Sequence, residues 1–138
     1  MNKRQLLKQL RTQTFVRLKP SRHGIGVFAI RDIFKGVDPF VACKDIKRFI
    51  AIKPEELKNL PQQTLELVKD FCPFESGKFY FPDYGLMQMD VSYYLNHSKN
   101  PNMVAHKKGE FFITSRDIKE DEELTVDYDT YDETDHNF

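Results

Sequence analysis

Apolar residues recur along this chain with two different periods. Leu6, Leu7 and Leu10 stand at helical spacing and predict a short amphipathic helix over about residues 3–11. "TFVRLKP" alternates and predicts a strand; beyond the turn "SRHGIG", "VFAIRDI" predicts another, closed by the turn at Lys35-Gly36. "KPEELKNL" and "PQQTLELVKDF" each begin with Pro near a first helical position and continue with apolar residues at i, i+3. Together they predict a helical insert of about 18 residues. Period two returns in "EFFITSRDI" and "EELTVDY", joined by the charged turn "KEDE". Short strands with scattered turns and one helical insert imply a mainly β domain rather than alternating βαβ units. At 138 residues one domain with a real core is expected.

One phrase recurs. "FAIRDIFKG" (28–36) and "FITSRDIKED" (112–121) each end a strand in Arg-Asp-Ile and then turn. Three matched residues leave chance and an internal pseudo-repeat both open. The aromatic-rich stretch "FCPFESGKFYFPDYG" (71–85) reads as core and loop packing.

Charge narrows the function classes. Net charge is zero, which argues against general nucleic-acid binding, since that needs a dominant basic surface. The charges are nevertheless segregated: residues 1–31 carry eight Lys/Arg and no acid, and residues 120–135 carry nine Asp/Glu and no base. An acidic end can draw in a cationic partner, or the two ends can simply be solvated faces that offset each other. No apolar run reaches the roughly 18–20 residues of a membrane span. "MNKRQLLKQLR" lacks the apolar region and cleavage site of a signal peptide. Cys43 and Cys72 fit a reducing compartment better than a disulfide scaffold. A cytoplasmic or nuclear location is therefore expected, with no membrane partner. Four scattered His and two distant Cys show no zinc spacing, so no metal is expected. His23, His106 and His136 read as surface residues.

The stretch "YYLNHSKNPN" (93–102) sets an apolar aromatic run directly against groups that demand hydrogen bonds. Asn100-Pro101-Asn102 suits a surface turn, because Pro presets φ and Asn tolerates turn geometry. Asn96, His97 and Ser98 look instead held at the edge of a core. His97 with Ser98 is no hydrolase dyad, since adjacent residues rarely meet in that geometry and no nucleophile elbow is present. Upstream, "HGIGVFA" (23–29) sets two glycines around one residue at the mouth of a strand. It is not a dinucleotide fingerprint, because no helix follows and the third glycine is missing. Downstream stands "EELTVDYD" (122–129).

In this order, with a variable helical insert between the first two, "HGIGVFA", "LNHSKNPN" and "EELTVDYD" resemble the SET-domain family of protein lysine methyltransferases. The resemblance covers about residues 14–131, between a helical extension over 1–13 and a tail over 132–138. It implies a β-clip-like fold of small curved sheets with a knot-like core around the Asn-His-Ser segment. It implies an S-adenosylmethionine-dependent protein-lysine N-methyltransferase acting on histone or other basic tails, as monomer or homodimer. By position, His23, Gly24, Ile25 and Gly26 would lend backbone groups to S-adenosylmethionine. The Asn96 side chain and the His97 backbone would hold the same cofactor. Tyr128 would be the active-site tyrosine, also in contact with the cofactor. Tyr131 would line the substrate channel, where aromatic walls suit a lysine stem. Tyr80, Tyr84, Tyr93 and Tyr94 are further aromatic candidates, mostly with structural roles.

The chain also departs from the pattern. Lys99 follows Asn-His-Ser where many chromatin-modifying relatives have Cys, and no cysteine-rich segment follows the domain. It resembles the compact stand-alone viral and bacterial members. A cofactor lid would then come from the tail, through Tyr131 or Phe138, or from a second subunit. A catalytically silent SET-fold module that binds a peptide is the alternative.

Overall fold

A computed structural model of the chain describes residues 1–43 and 48–132. The chain divides into two compact units, residues 1–44 with 90–127, and residues 45–89 with 128–138.

The first unit opens with helix α1 (Lys3–Thr12), one residue longer than its apolar spacing predicts. Asn2 and Gln5 close it with reciprocal hydrogen bonds of 2.9 and 2.8 Å, which satisfies two of the donors that a helix start leaves open. At its other end the Arg31 guanidinium donates to the Arg11 carbonyl at 2.8 Å. None of its residues is buried. Strands β1 (Val16–Ser21) and β2 (Gly24–Ala29) follow as a tight hairpin, with Ser21 opposite Gly24 and the turn at Arg22-His23. Gly24 takes a φ of +100°, which glycine adopts without the steric cost a side chain brings. The strand expected over 27–33 thus starts earlier, at Gly24, and stops at Ala29.

The second unit holds β3 (Phe49–Ile52), α2 (Gln62–Phe71), β4 (Phe74–Glu75) and β5 (Lys78–Pro82). Its sheet has the order β3-β5-β4, all antiparallel. Leu57, Val68 and Cys72 are buried at its centre, with Ile52, Leu65, Phe79, Phe81 and Leu86 packed around them. Of the two expected helices only the second forms. "KPEELKNL" yields a single 3₁₀ turn over Pro54–Leu57, because Leu57 is its one buried residue and a lone apolar anchor cannot hold a longer helix. Pro61 stands just before α2 rather than inside it. The aromatic stretch 71–85 contains the β4–β5 hairpin, which turns on Ser76 and Gly77, both with positive φ.

The first unit resumes with β6 (Asn96–His97), β7 (Met103–His106), β8 (Phe111–Thr114) and β9 (Glu123–Val126). Its main sheet has the order β1-β2-β9-β6, antiparallel except for the parallel pair β9-β6, while β7 and β8 form a separate antiparallel ribbon. The recurring Arg-Asp-Ile phrases lie against each other. Ile33 and Ile118 exchange both backbone hydrogen bonds at 2.8 Å, and both are buried. The flanking contacts match in pairs. The Lys35 N–H donates to Asp117 Oδ1 and the Glu120 N–H to Asp32 Oδ1, each at 2.8 Å. The Gly36 N–H donates to the Thr114 carbonyl at 2.9 Å and the Asp121 N–H to the Ala29 carbonyl at 2.8 Å. Gly36 and Asp121 have φ of +86° and +71°. The repeat is a local pseudo-twofold just beyond the end of β2, where Ile33 pairs with Ile118.

Asn102 departs from its expected place in a surface turn: it is 2% exposed. Its Nδ2 donates to the Glu123 carbonyl at 2.8 Å and to Glu122 Oε2 at 3.2 Å, and its Oδ1 accepts the Thr125 N–H at 2.8 Å. The side chain thus pairs with β9 as a neighbouring strand would. Asn102→Asp keeps the shape but sets an oxygen against the Glu123 carbonyl and the Glu122 carboxylate. Urea unfolding should show a loss of about 2–3 kcal/mol, the penalty for unmade buried hydrogen bonds.

Burial pulls the Glu122 carboxyl pKa up, but hydrogen bonds from the Lys119 N–H, Asn102 and Arg116, with the Arg116 charge, outweigh it and hold the pKa below 4.5. Arg116 Nη1 lies 2.8 Å from Glu122 Oε2. A carboxylate with a depressed folded-state pKa stabilises the fold fully above its unfolded value and loses that contribution as pH falls through the folded one. The stability margin of the wild type over Glu122→Gln should therefore be complete at neutral pH and shrink below pH 4.5. Thermal melts along a pH series test this, and a pH-independent margin would refute it.

Candidate functional site

The Asn-His-Ser segment is positioned from both sides. Before it, Asp90 caps a 3₁₀ turn over Val91–Tyr94 by accepting the Ser92 N–H at 2.8 Å and the Ser92 hydroxyl. Tyr93 and Tyr94 are half-buried in that turn, and Leu95, buried at 2% exposure, ties the segment to the core. Asn96 and His97 then pair with Thr125 and Val126 of β9, and the Ser98 N–H donates to the Val126 carbonyl at 3.0 Å. The apolar run is the anchor, and the polar residues after it are fixed in direction by β9.

Asn96 lies among three acceptors. Its Nδ2 is 2.8 Å from Glu123 Oε2, 3.2 Å from the Ile25 carbonyl and 3.3 Å from Ser21 Oγ. Ser21 Oγ in turn donates toward the Glu123 carboxylate, 3.0 and 3.1 Å from its two oxygens. The structure thus brings Asn96 to the Gly24–Gly26 strand, as the sequence motifs imply. It adds Ser21 and Glu123, which sequence reasoning missed. Gly26 is buried, and a Cβ there would collide with the Glu123 carboxylate and come within 3.0 Å of Ser21 Cβ. Its φ is not positive, so the need for glycine is spatial. His23, Gly24 and Ile25 are exposed, and nothing lies within 4 Å of a Cβ built on Gly24.

His97 is nearly enclosed, its side chain 10% exposed, with Nδ1 3.8 Å from Asp127 Oδ1. Lys99, the departure from the family pattern, sets its ammonium 3.5 Å from the same oxygen. That contact is largely exposed on the lysine side and contributes little to stability.

Tyr128 and Tyr131 belong to the second unit. Tyr128 begins a 3₁₀ turn over Tyr128–Thr130, two residues beyond the end of β9, and its ring meets that of Tyr131 edge-on with centroids 6.1 Å apart. Asp132 fastens this turn to β4: its N–H donates to the Tyr128 carbonyl at 2.8 Å, and its Oδ1 accepts the Phe74 N–H at 3.0 Å. Tyr80 and Tyr84 are half-buried in the same unit, Tyr80 within β5. Phe138, expected as a lid residue, lies outside the described residues, as do His136 and the last part of the acidic run, residues 133–135.

Cysteine chemistry is absent from this constellation. Cys43 and Cys72 are free thiols. Burial, then the nearby Asp90 and Asp38 carboxylates, push Cys43 up to about 12, and burial with Asp132 pushes Cys72 up to about 12. Both are neutral near pH 7 and poor nucleophiles. No helix among the described residues is long and apolar enough to cross a membrane.

Comparison with known proteins identifies the family. A model of the SET domain matches residues 24–129. A stretch of 37 residues is 49% identical to the potential protein lysine methyltransferase SET6 of Saccharomyces cerevisiae, covering 25% of this chain but only 10% of the yeast protein. The fold resembles the crystal structure of a candidate histone methyltransferase of Plasmodium falciparum, with a TM-score of 0.51 and 21% identity over 84% of this chain and 94% of that one. With the family match running from the Gly24 strand to the turn that begins at Tyr128, the chain belongs to the SET-domain family.

Proposed function

We propose that this protein is an S-adenosylmethionine-dependent protein-lysine N-methyltransferase that acts on histone or other basic protein tails. One observation carries the reading beyond family membership. The Asn96 amide nitrogen is held by Glu123 and the Ile25 carbonyl, and residues 23–25 are exposed, with open space around Gly24. A fixed carboxamide oxygen beside this open start of β2 fits a ligand with both donors and acceptors and a cationic end. S-adenosylmethionine is such a ligand, and the residues present fit it.

When bound, that cofactor supplies a methyl group on a sulfonium, already electrophilic. What the chain supplies is binding, orientation and exclusion of water. Asn96 Oδ1 and the His97 backbone are the proposed cofactor contacts, with His23, Gly24, Ile25 and Gly26 lending main-chain groups. The attacking lysine must be neutral, although a free lysine has a pKa of about 10.4. Desolvation disfavours its charged form and lowers that value. Tyr128 is proposed to orient the amine through its hydroxyl, with Tyr131 as an aromatic wall for the lysine stem. The acidic run from Glu120 onward suits a basic tail by raising the encounter rate.

Transfer of labelled methyl from S-adenosylmethionine to a histone mixture, and to a general protein mixture, is the direct test. Tyr128→Phe should lower kcat roughly tenfold or more and change cofactor affinity much less than kcat, because the ring that touches the cofactor is kept and only the hydroxyl is lost. Asn96→Ala should weaken S-adenosylhomocysteine binding in calorimetry roughly tenfold, with a smaller effect on folding. Unchanged affinity in a folded variant would remove Asn96 from the site. Cofactor binding without transfer to any protein would favour a silent SET-fold binding module.

A further inference from the structure

We propose that Glu123 is a positioning residue: its carboxylate fixes which way round the Asn96 carboxamide stands. The inference rests on the proposed function in so far as Asn96 contacts the cofactor. A carboxamide can turn by half a revolution with little change in shape, exchanging a donor for an acceptor, so its neighbours decide its orientation. Here every neighbour on one side accepts. An ionised Glu123 is acceptor-only, and the Ile25 carbonyl likewise. The Ser21 hydroxyl directs its one hydrogen at Glu123, so it faces Asn96 as an acceptor too. A reversed amide would press its oxygen against the carboxylate. Nδ2 therefore points into the cluster, and Oδ1 is the atom left for a ligand donor.

Gly26 completes the device. The space that its missing side chain leaves is the space occupied by the Glu123 carboxylate. Glu123 itself is set by the register of β9 against β2, where it stands opposite Phe28. Sequence, sheet register and side-chain orientation thus lead to one result, an Asn96 that offers an acceptor.

The test compares S-adenosylhomocysteine affinity by calorimetry in wild type, Asn96→Ala, Glu123→Ala, Glu123→Gln, Gly26→Ala and the double variant Asn96→Ala with Glu123→Ala. Melting temperatures confirm that each is folded. Glu123→Ala should weaken binding roughly tenfold, the worth of one misdirected hydrogen bond, and Gly26→Ala should do the same by displacing Glu123. Glu123→Gln should restore binding, because its Oε1 still accepts from Asn96 while its Nε2 donates to a rotated Ser21 hydroxyl. In the Asn96→Ala background the loss of Glu123 should add nothing, the mark of a residue acting through another. Additive losses, or a folded Glu123→Gln that stays as weak as Glu123→Ala, would overturn the proposal and make Glu123 a charge that acts on the ligand directly.

A ligand-free readout separates this inference from the proposed function. In the NMR spectrum of the free protein, the Asn96 side-chain NH₂ pair should be protected from exchange in wild type and Glu123→Gln, and exchange faster in Glu123→Ala, where only the Ile25 carbonyl and Ser21 remain as acceptors. An unprotected pair in wild type refutes the positioning role whatever binds. A protected pair in a protein that binds no S-adenosylhomocysteine supports the role of Glu123 and rejects the cofactor assignment instead.

Discussion

Strand β9 has four residues and must be paired along both edges, and most of the first unit follows from how that is achieved. Its inward residues Leu124 and Val126 are 0% and 1% exposed, so its backbone groups have little access to water. Buried peptide groups need partners. On one edge β2 supplies them as an antiparallel neighbour for the first half of the strand, and two residues of β6 take over in parallel at Thr125 and Val126. On the other edge the Asn102 side chain bonds the Glu123 carbonyl and the Thr125 N–H in place of a strand. The segment that carries Asn96 and His97 is therefore pinned because β9 needs it. The candidate site is a by-product of completing a short strand.

A second constraint comes from the pair of Arg-Asp-Ile turns. Each aspartate caps the other turn's backbone, and each isoleucine bonds to its mate, so neither turn is complete alone. The symmetry is imperfect where the chemistry differs. Thr114 is buried and uses its hydroxyl to donate to the Phe34 carbonyl and to accept the Val37 N–H, while Ala29 in the matching place cannot. One side is thereby joined by side-chain bonds where the other relies on packing and the β-sheet.

Much of this could be read from residue order alone. The polar Asn96-His97 pair against an apolar run, the glycines at 24 and 26, and the Tyr128 motif all pointed to the family that the comparison shows. Helix α2 was legible because it runs ten residues and repeats its apolar spacing. Strands β4 and β6 have two residues each, too few for any alternation to register. Asn102 was misread because Asn-Pro-Asn has the composition of a surface turn, and only tertiary pairing reveals that its amide replaces a strand. Glu123 was passed over for a related reason. In an acidic run every carboxylate looks solvated, but alternation along β9 turns Leu124 and Val126 inward and directs Glu123 toward Ser21 and Gly26.

The contact between Ile33 and Ile118 has a bearing on how this chain can vary and how it folds. The first unit is assembled from two separate chain segments, with residues 45–89 between them in sequence. Its two halves of the repeat can meet only after that intervening segment has been looped out. Such non-local pairing makes for slow folding relative to helical proteins of the same size. The entropic penalty of the loop, however, rises only with the logarithm of its length, so doubling the intervening segment adds about 0.6 kcal/mol. Folding speed is thus limited by the topology, while the length of the insert is left almost free to drift.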